Sequence, residues 1–172
     1  YVANNVTKIT PSGSSTILGP TGNGPFGIAI DNDGNVYTTN YGSNNVTKIT
    51  PNGTSTILGT TGSNPRAIAI DNDGNVYTTN YGSNNVTKIT PSGTSAILGT
   101  TGSSPFGIAI DNDGNIYTAN YVANNVTKIT PSGTSTILGT TGSYPVGIAI
   151  DNDGNIYTAN WGSNNVSKIT TR

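Results

Sequence analysis

PFGIAIDNDGNVYTTN, residues 25–40, sets two short β-branched runs on either side of an Asp-Gly turn signal. PFGIAI places Ile28 and Ile30 on one face with Ala29 between them. NVYTTN alternates apolar with polar, and Asp33-Gly34 supplies a pair that tolerates positive φ. The stretch reads as a hairpin, with a first strand at Phe26–Ile30 and a second at Asn35–Asn40. Beyond it, NNVTKIT pairs Val46 with Lys48 on one face and Thr47 with Ile49 on the other. STILG then adds Ile57 and Leu58 as a fourth run. No stretch shows helical spacing.

This unit recurs every 40 residues without insertion. YVANNVTKIT starts at Tyr1 and Tyr121, YGSNNVTKIT at Tyr41 and Tyr81, and WGSNNVSKIT at Trp161. Four short strands per 40 residues, joined by tight turns, is the spacing of a propeller blade. A β-solenoid rung is shorter, and a Greek-key sandwich does not need near-identical units. The expected fold is all-β: a β-propeller of near-identical four-stranded blades, about four per chain, completed by another chain. One domain would span residues 1–172. It opens with the third and fourth strands of a split blade (1–24). Full blades follow at 25–64, 65–104 and 105–144, and the first three strands of the last blade at 145–172.

The pattern P-x-G-I-A-I-D-x-D-G-N-[VI]-Y, followed by G-S-N-N-V-x-K-I, resembles the NHL-type propeller repeat. ITPSG and PFGIAI are also similar to the blades of streptogramin lyases, the virginiamycin B lyase-like proteins. The resemblance covers the whole chain and implies the propeller fold. For those lyases it implies a His-containing, metal-assisted site. This chain has no His, so the activity is not expected to carry over.

Composition narrows the function classes. Charged residues make up 9 % and net charge is −1; Lys8, Lys48, Lys88, Lys128 and Lys168 stand forty residues apart. Nucleic acid needs clustered cations, so it is set aside. Without Cys there is neither a disulfide nor a thiolate metal site. No apolar run reaches membrane-span length. The chain begins at Tyr1 without Met or a visible signal peptide, the expected look of a mature or trimmed product.

DNDGN holds every acidic residue: Asp31, Asp33, Asp71, Asp73, Asp111, Asp113, Asp151 and Asp153. An EF-type calcium loop needs Gly at its sixth position and Glu at its twelfth. Here Gly34 is fourth, Gly42 is twelfth and Glu is missing, which leaves these carboxylates as weak calcium candidates at most. A catalytic pair needs environments that push two pKa values apart, and four matched copies give no special pair. With no His, Cys or Glu, the usual bases and nucleophile activators are missing. DNDGN therefore reads as a turn, with no catalytic residue, no cofactor and no enzyme activity expected.

Differences between copies point elsewhere. In a blade the first-to-second and third-to-fourth turns share one face of the disc. DNDG and TPSG lie there and hardly change. The other face gathers the variation: Val2-Ala3 and Val122-Ala123 against Gly-Ser elsewhere, varied links before each first strand, and Trp161 against Tyr. Phe26, Arg66, Phe106, Tyr144, Val146 and Trp161 are the candidate ligand-binding residues, since loops on such a face vary without touching the core. The competing reading is drift among recently copied repeats. N-x-T/S sequons at Asn5, Asn45, Asn85, Asn125, Asn165 and Asn52 are glycosylation candidates and suit an extracellular or cell-surface protein.

The chain starts and ends on a third strand, so Val2–Thr10 and Gly162–Thr170 compete for one slot. A four-bladed ring demands steep wedge angles, and an unpaired edge disfavours an isolated open arc. The expected partner is the protein itself, in a ring-closing dimer or a head-to-tail polymer joined through the terminal strands. Three functions follow: a non-enzymatic extracellular propeller binding glycan or protein, a subunit of an extracellular filament or sheath, and an engineered or amplified repeat propeller without a specific ligand.

Overall fold

The computed structural model describes residues 3–170. These hold seventeen strands and no helix. Asn5–Ile9 (β1) and Ser15–Pro20 (β2) form a two-stranded sheet. Pro25–Ile30 (β3), Val36–Asn40 (β4), Asn45–Ile49 (β5) and Ser55–Thr60 (β6) form the first four-stranded antiparallel meander. Pro65–Ile70 (β7), Val76–Asn80 (β8), Asn85–Ile89 (β9) and Ser95–Thr100 (β10) repeat it, as do Pro105–Ile110 (β11), Ile116–Asn120 (β12), Asn125–Ile129 (β13) and Ser135–Thr140 (β14). Pro145–Ile150 (β15), Ile156–Asn160 (β16) and Asn165–Ile169 (β17) form a last, three-stranded sheet. The second strand of each blade starts one residue later than the sequence suggests. Asn35 belongs to the turn, where its N–H donates to Asp31 Oδ1 at 2.8 Å.

The core lies between blades, because each sheet buries both faces. Successive first strands β3, β7, β11 and β15 run side by side. Between the first two full blades, Tyr37, Val46 and Leu58 meet Ile68, Ile70, Val76 and Ile89. The same seven positions recur between the next two blades. They recur again before the last sheet, where Tyr117, Val126 and Leu138 meet Ile148, Ile150, Ile156 and Ile169. Odd and even positions of one strand serve opposite neighbours: on β5, Val46 faces the following blade and Ile49 the preceding one.

A buried polar net recurs within each blade, while the Ser55, Ser95 and Ser135 hydroxyls are buried without a partner. Asn40, fully buried, donates from Nδ2 to Asn45 Oδ1 at 2.7 Å and Thr47 Oγ1 at 2.8 Å. Thr47 Oγ1 also accepts from the N–H of Gly22 in the preceding link, at 3.1 Å. Thr87 and Thr127 do the same for Gly62 and Gly102. The polar net thus ties each link to the blade it introduces.

A single chain does not close a ring. β1–β2 and β15–β17 remain separate sheets, with no pairing between them. This is an open arc, the arrangement the unpaired edges had counted against. β1 has no strand on its inner side and β17 none on its outer side.

Candidate ligand-binding face

A bulge aims each variable first-strand residue. In β3, Pro25 pairs with Asn40 and Ile28 with Thr38, so Phe26 and Gly27 together oppose Thr39. In β11, Pro105 pairs with Asn120 and Gly107 with Ala119, leaving Phe106 extra. Such a bulge bends the strand and re-aims the side chain. Phe26, Arg66, Phe106 and Val146 all stand at this point. The freed Gly27 N–H donates to Thr39 Oγ1 at 2.8 Å, and Thr39 Oγ1 donates to the Arg66 carbonyl of the next blade at 2.6 Å.

The bulged residues meet the aromatic residue that follows each second strand. The Arg66 guanidinium carbon lies 4.4 Å from the Phe26 ring, 4.7 Å from Tyr41, 4.9 Å from Tyr81 and 5.3 Å from Phe106. Each contact draws the cation to a ring face. Arg66 Nε is buried there without a hydrogen-bond partner. The rings continue outward: Phe106 lies 6.0 Å from Tyr121, which stacks at 4.8 Å on Tyr144 and at 6.4 Å on Trp161. A concavity of about 340 Å³ is lined by Arg66, Tyr81, Phe106, Tyr121, Val146 and Trp161. Trp161 is 67 % exposed, which makes it the most open ring of the patch.

Tyr144 adds a conformational signal. It has φ 55°, at the link position where Gly24 has φ 64° and Asn64 φ 54°. Gly and Asn adopt that region cheaply and a large side chain does not. Strain held at an exposed, ring-stacked residue points toward function.

The opposite rim is chemically distinct. Asp31 Oδ1 accepts from the N–H groups of Asp33 at 3.0 Å and Asn35 at 2.8 Å; Oδ2 accepts from Asn35 Nδ2 at 2.8 Å and the Tyr37 hydroxyl at 2.9 Å. Asp71, Asp111 and Asp151 make the same four bonds. Burial alone raises the Asp31 carboxyl, but the bonds from Asn35, Tyr37 and Asp33 outweigh it and hold the group below its ordinary value. Burial first, and then the bond to Asp31, push the Tyr37 hydroxyl up. Clefts of about 320 to 340 Å³ separate neighbouring turns on this rim. Among the described residues no group of three or more His, Cys, Asp or Glu side chains is arranged to hold a metal ion.

Residues 1–172 match the model of the Virginiamycin B lyase family. The chain belongs to the Virginiamycin B lyase family. The streptogramin B lyase structure superposes with a TM-score of 0.81 at 22% identity, over 99% of this chain and 63% of that one. A catalytically inactive His-to-Ala variant of virginiamycin B lyase from Staphylococcus aureus, with quinupristin, gives 0.70 at 24% identity, over 88% of this chain and 56% of that one. A chain of the nidogen/laminin complex gives 0.78 at 21% identity, over 95% and 66%. These matches show the propeller fold, and this chain spans less than two thirds of each of these lyase structures. No match was found among curated proteins.

In this member of the Virginiamycin B lyase family, all six residues singled out for ligand binding fall within one aromatic patch. The sequence reading missed Tyr41, Tyr81 and Tyr121, which bridge that patch. Trp161 was the available signal, since these tyrosines occupy its position in the other copies. Val122 stands exposed beside Tyr121, whereas Tyr1 and Val2 lie outside the described residues. The sequon residues are placed less uniformly. Asn45, Asn85, Asn125 and Asn165 each accept through Oδ1 from the Asn that ends the preceding strand. Asn5 is half-buried, and Asn52 is exposed in its turn.

Proposed function

We propose that this chain is a non-enzymatic, extracellular ligand-binding propeller segment whose aromatic face takes a glycan. The carrying observation is the continuous ring surface from Tyr41 to Trp161, built around Arg66 and free of carboxylates. Tyr and Trp offer rigid contact area at low entropic cost, and the apolar faces of sugar rings stack on them. A concavity of about 340 Å³ suits one or two sugar units, at the small end of ligand pockets. The absence of His, Cys and Glu from this chain supports a binding role over catalysis. The exposed Asn52 sequon supports an extracellular or cell-surface setting.

Trp161 is the single tryptophan, so its emission reports on the site directly. Titration with soluble cello-, chito- and galacto-oligosaccharides should shift that emission saturably for at least one series. By calorimetry, Trp161→Ala and Phe106→Ala should each weaken the binding about tenfold, equivalent to about 1.4 kcal/mol. Asp113→Ala on the opposite rim should leave it unchanged. A flat titration in every series, or equal binding by Trp161→Ala, would leave the amplified repeat without a specific ligand as the better reading.

A further inference from the structure

One side chain on the aromatic face is out of keeping with its copies and with its surroundings. Arg66 stands where the other first strands carry Phe26, Phe106 and Val146. Its guanidinium carbon lies 4.4 to 5.3 Å from the centroids of Phe26, Tyr41, Tyr81 and Phe106, all from the three full blades. A ring face draws the charge but offers no lone pair to an N–H group. Nε is buried without an acceptor, and no side-chain hydrogen bond or ion pair joins Arg66 to any described residue. A buried donor left in that state is costly.

The charge is also isolated on its side of the molecule. Lys48, Lys88, Lys128 and Lys168 lie over the rings of Tyr37, Tyr77, Tyr117 and Tyr157. Those tyrosines donate to Asp31, Asp71, Asp111 and Asp151, so these lysines belong to the aspartate rim. Lys8 holds the same strand position as Lys48, and every Asp lies in a DNDGN turn. Among the described residues Arg66 is therefore the one charge on the aromatic face. It lines the concavity there together with Tyr81, Phe106, Tyr121 and Trp161.

We propose that Arg66 is the carboxylate-recognition point of this face, and that the glycan bound there is an acidic one carrying uronate units. The inference rests on the glycan-binding reading above and adds the charge of the ligand to it. The planar fork of a guanidinium matches the two oxygens of a carboxylate. The pairing gains strength where surrounding rings exclude water. A uronate ring stacks on the aromatic side chains of the concavity while its carboxylate turns toward Arg66 and accepts from it. A neutral sugar fills the same space but leaves the cation without a counter-charge.

Calorimetry with oligogalacturonates and oligoglucuronates, each beside its fully methyl-esterified form, tests this, since acid and ester share a length and differ in charge. At least one acid should bind about tenfold tighter than its ester at low salt, and added salt should narrow the gap. Arg66→Phe, which places there the residue that two other copies carry, should abolish the preference and keep the binding of the ester. Should that variant fail to fold, Arg66→Met should do the same. Equal binding of acid and ester would overturn the proposal and leave the glycan reading standing. So would a preference that survives in the folded variants, by placing the carboxylate elsewhere. Binding of tetraglutamate but of no acidic oligosaccharide would overturn it by giving the face to a peptide. No binding of any acidic or neutral oligosaccharide would remove the glycan reading itself, and this proposal with it.

Discussion

Asp31, Asp71, Asp111 and Asp151 each hold two backbone N–H groups, an asparagine side chain and a tyrosine hydroxyl. Removing one such carboxylate strands a nearly buried tyrosine hydroxyl and opens the turn. Asp71→Ala should therefore cost about 2 kcal/mol in denaturant unfolding, while Asp73→Ala at the exposed turn position should change little. The pH dependence follows from the same bonds. These carboxyls sit below their ordinary 3.8 in the folded state, so their stabilisation is complete above that pH and lost as pH falls through the folded values. Tyr37, Tyr77 and Tyr117 are shifted upward from 10.0; their contribution is complete below pH 10 and lost above it. Stability measured across pH should form a plateau that falls at both ends, and Asp71→Ala should soften both edges.

At the scale of the strand, period-two patterning decides which neighbour each side chain meets. Ile89 on β9 is fully buried in a seam, whereas Ile97 on the outermost strand β10 is 55 % exposed. Ile89→Ala should cost about 3 kcal/mol, and Ile97→Ala should stay within about 0.5 kcal/mol by the same unfolding measurement. The strands themselves were legible, because β-branched runs between Asp-Gly and Pro-Ser-Gly signals fix both their number and their spacing. The bulges were not. They shift the register of every first strand against its second, β15 included, and no local propensity encodes that shift. The site was half legible for a related reason. Contrast between copies exposed Phe26, Arg66, Phe106, Tyr144, Val146 and Trp161, while the unvarying Tyr41, Tyr81 and Tyr121 gave no contrast to notice.

Across the whole molecule, the two rims divide the chemistry. One holds the aspartate turns, each tied to a tyrosine hydroxyl; the other holds Phe26, Phe106, Tyr41, Tyr81, Tyr121, Tyr144 and Trp161 around one arginine. Between them the described sheets form an open arc. The sequence disclosed that the first and last sheets are partial, because β1 and β17 are copies of one third strand. It did not disclose that Ile28 is exposed and Ile68 half-buried, since the two are the same letter in the same context and differ only in what lies beside them. The chain lacks cysteine, so paired cysteines report a single contact cleanly. A Phe26→Cys/Phe106→Cys protein treated with a short bis-maleimide should link within one chain, because those rings lie 5.7 Å apart across two blades, and a Phe26→Cys/Asn112→Cys protein should not. Failure of the first protein to link while folded would contradict the shared aromatic face.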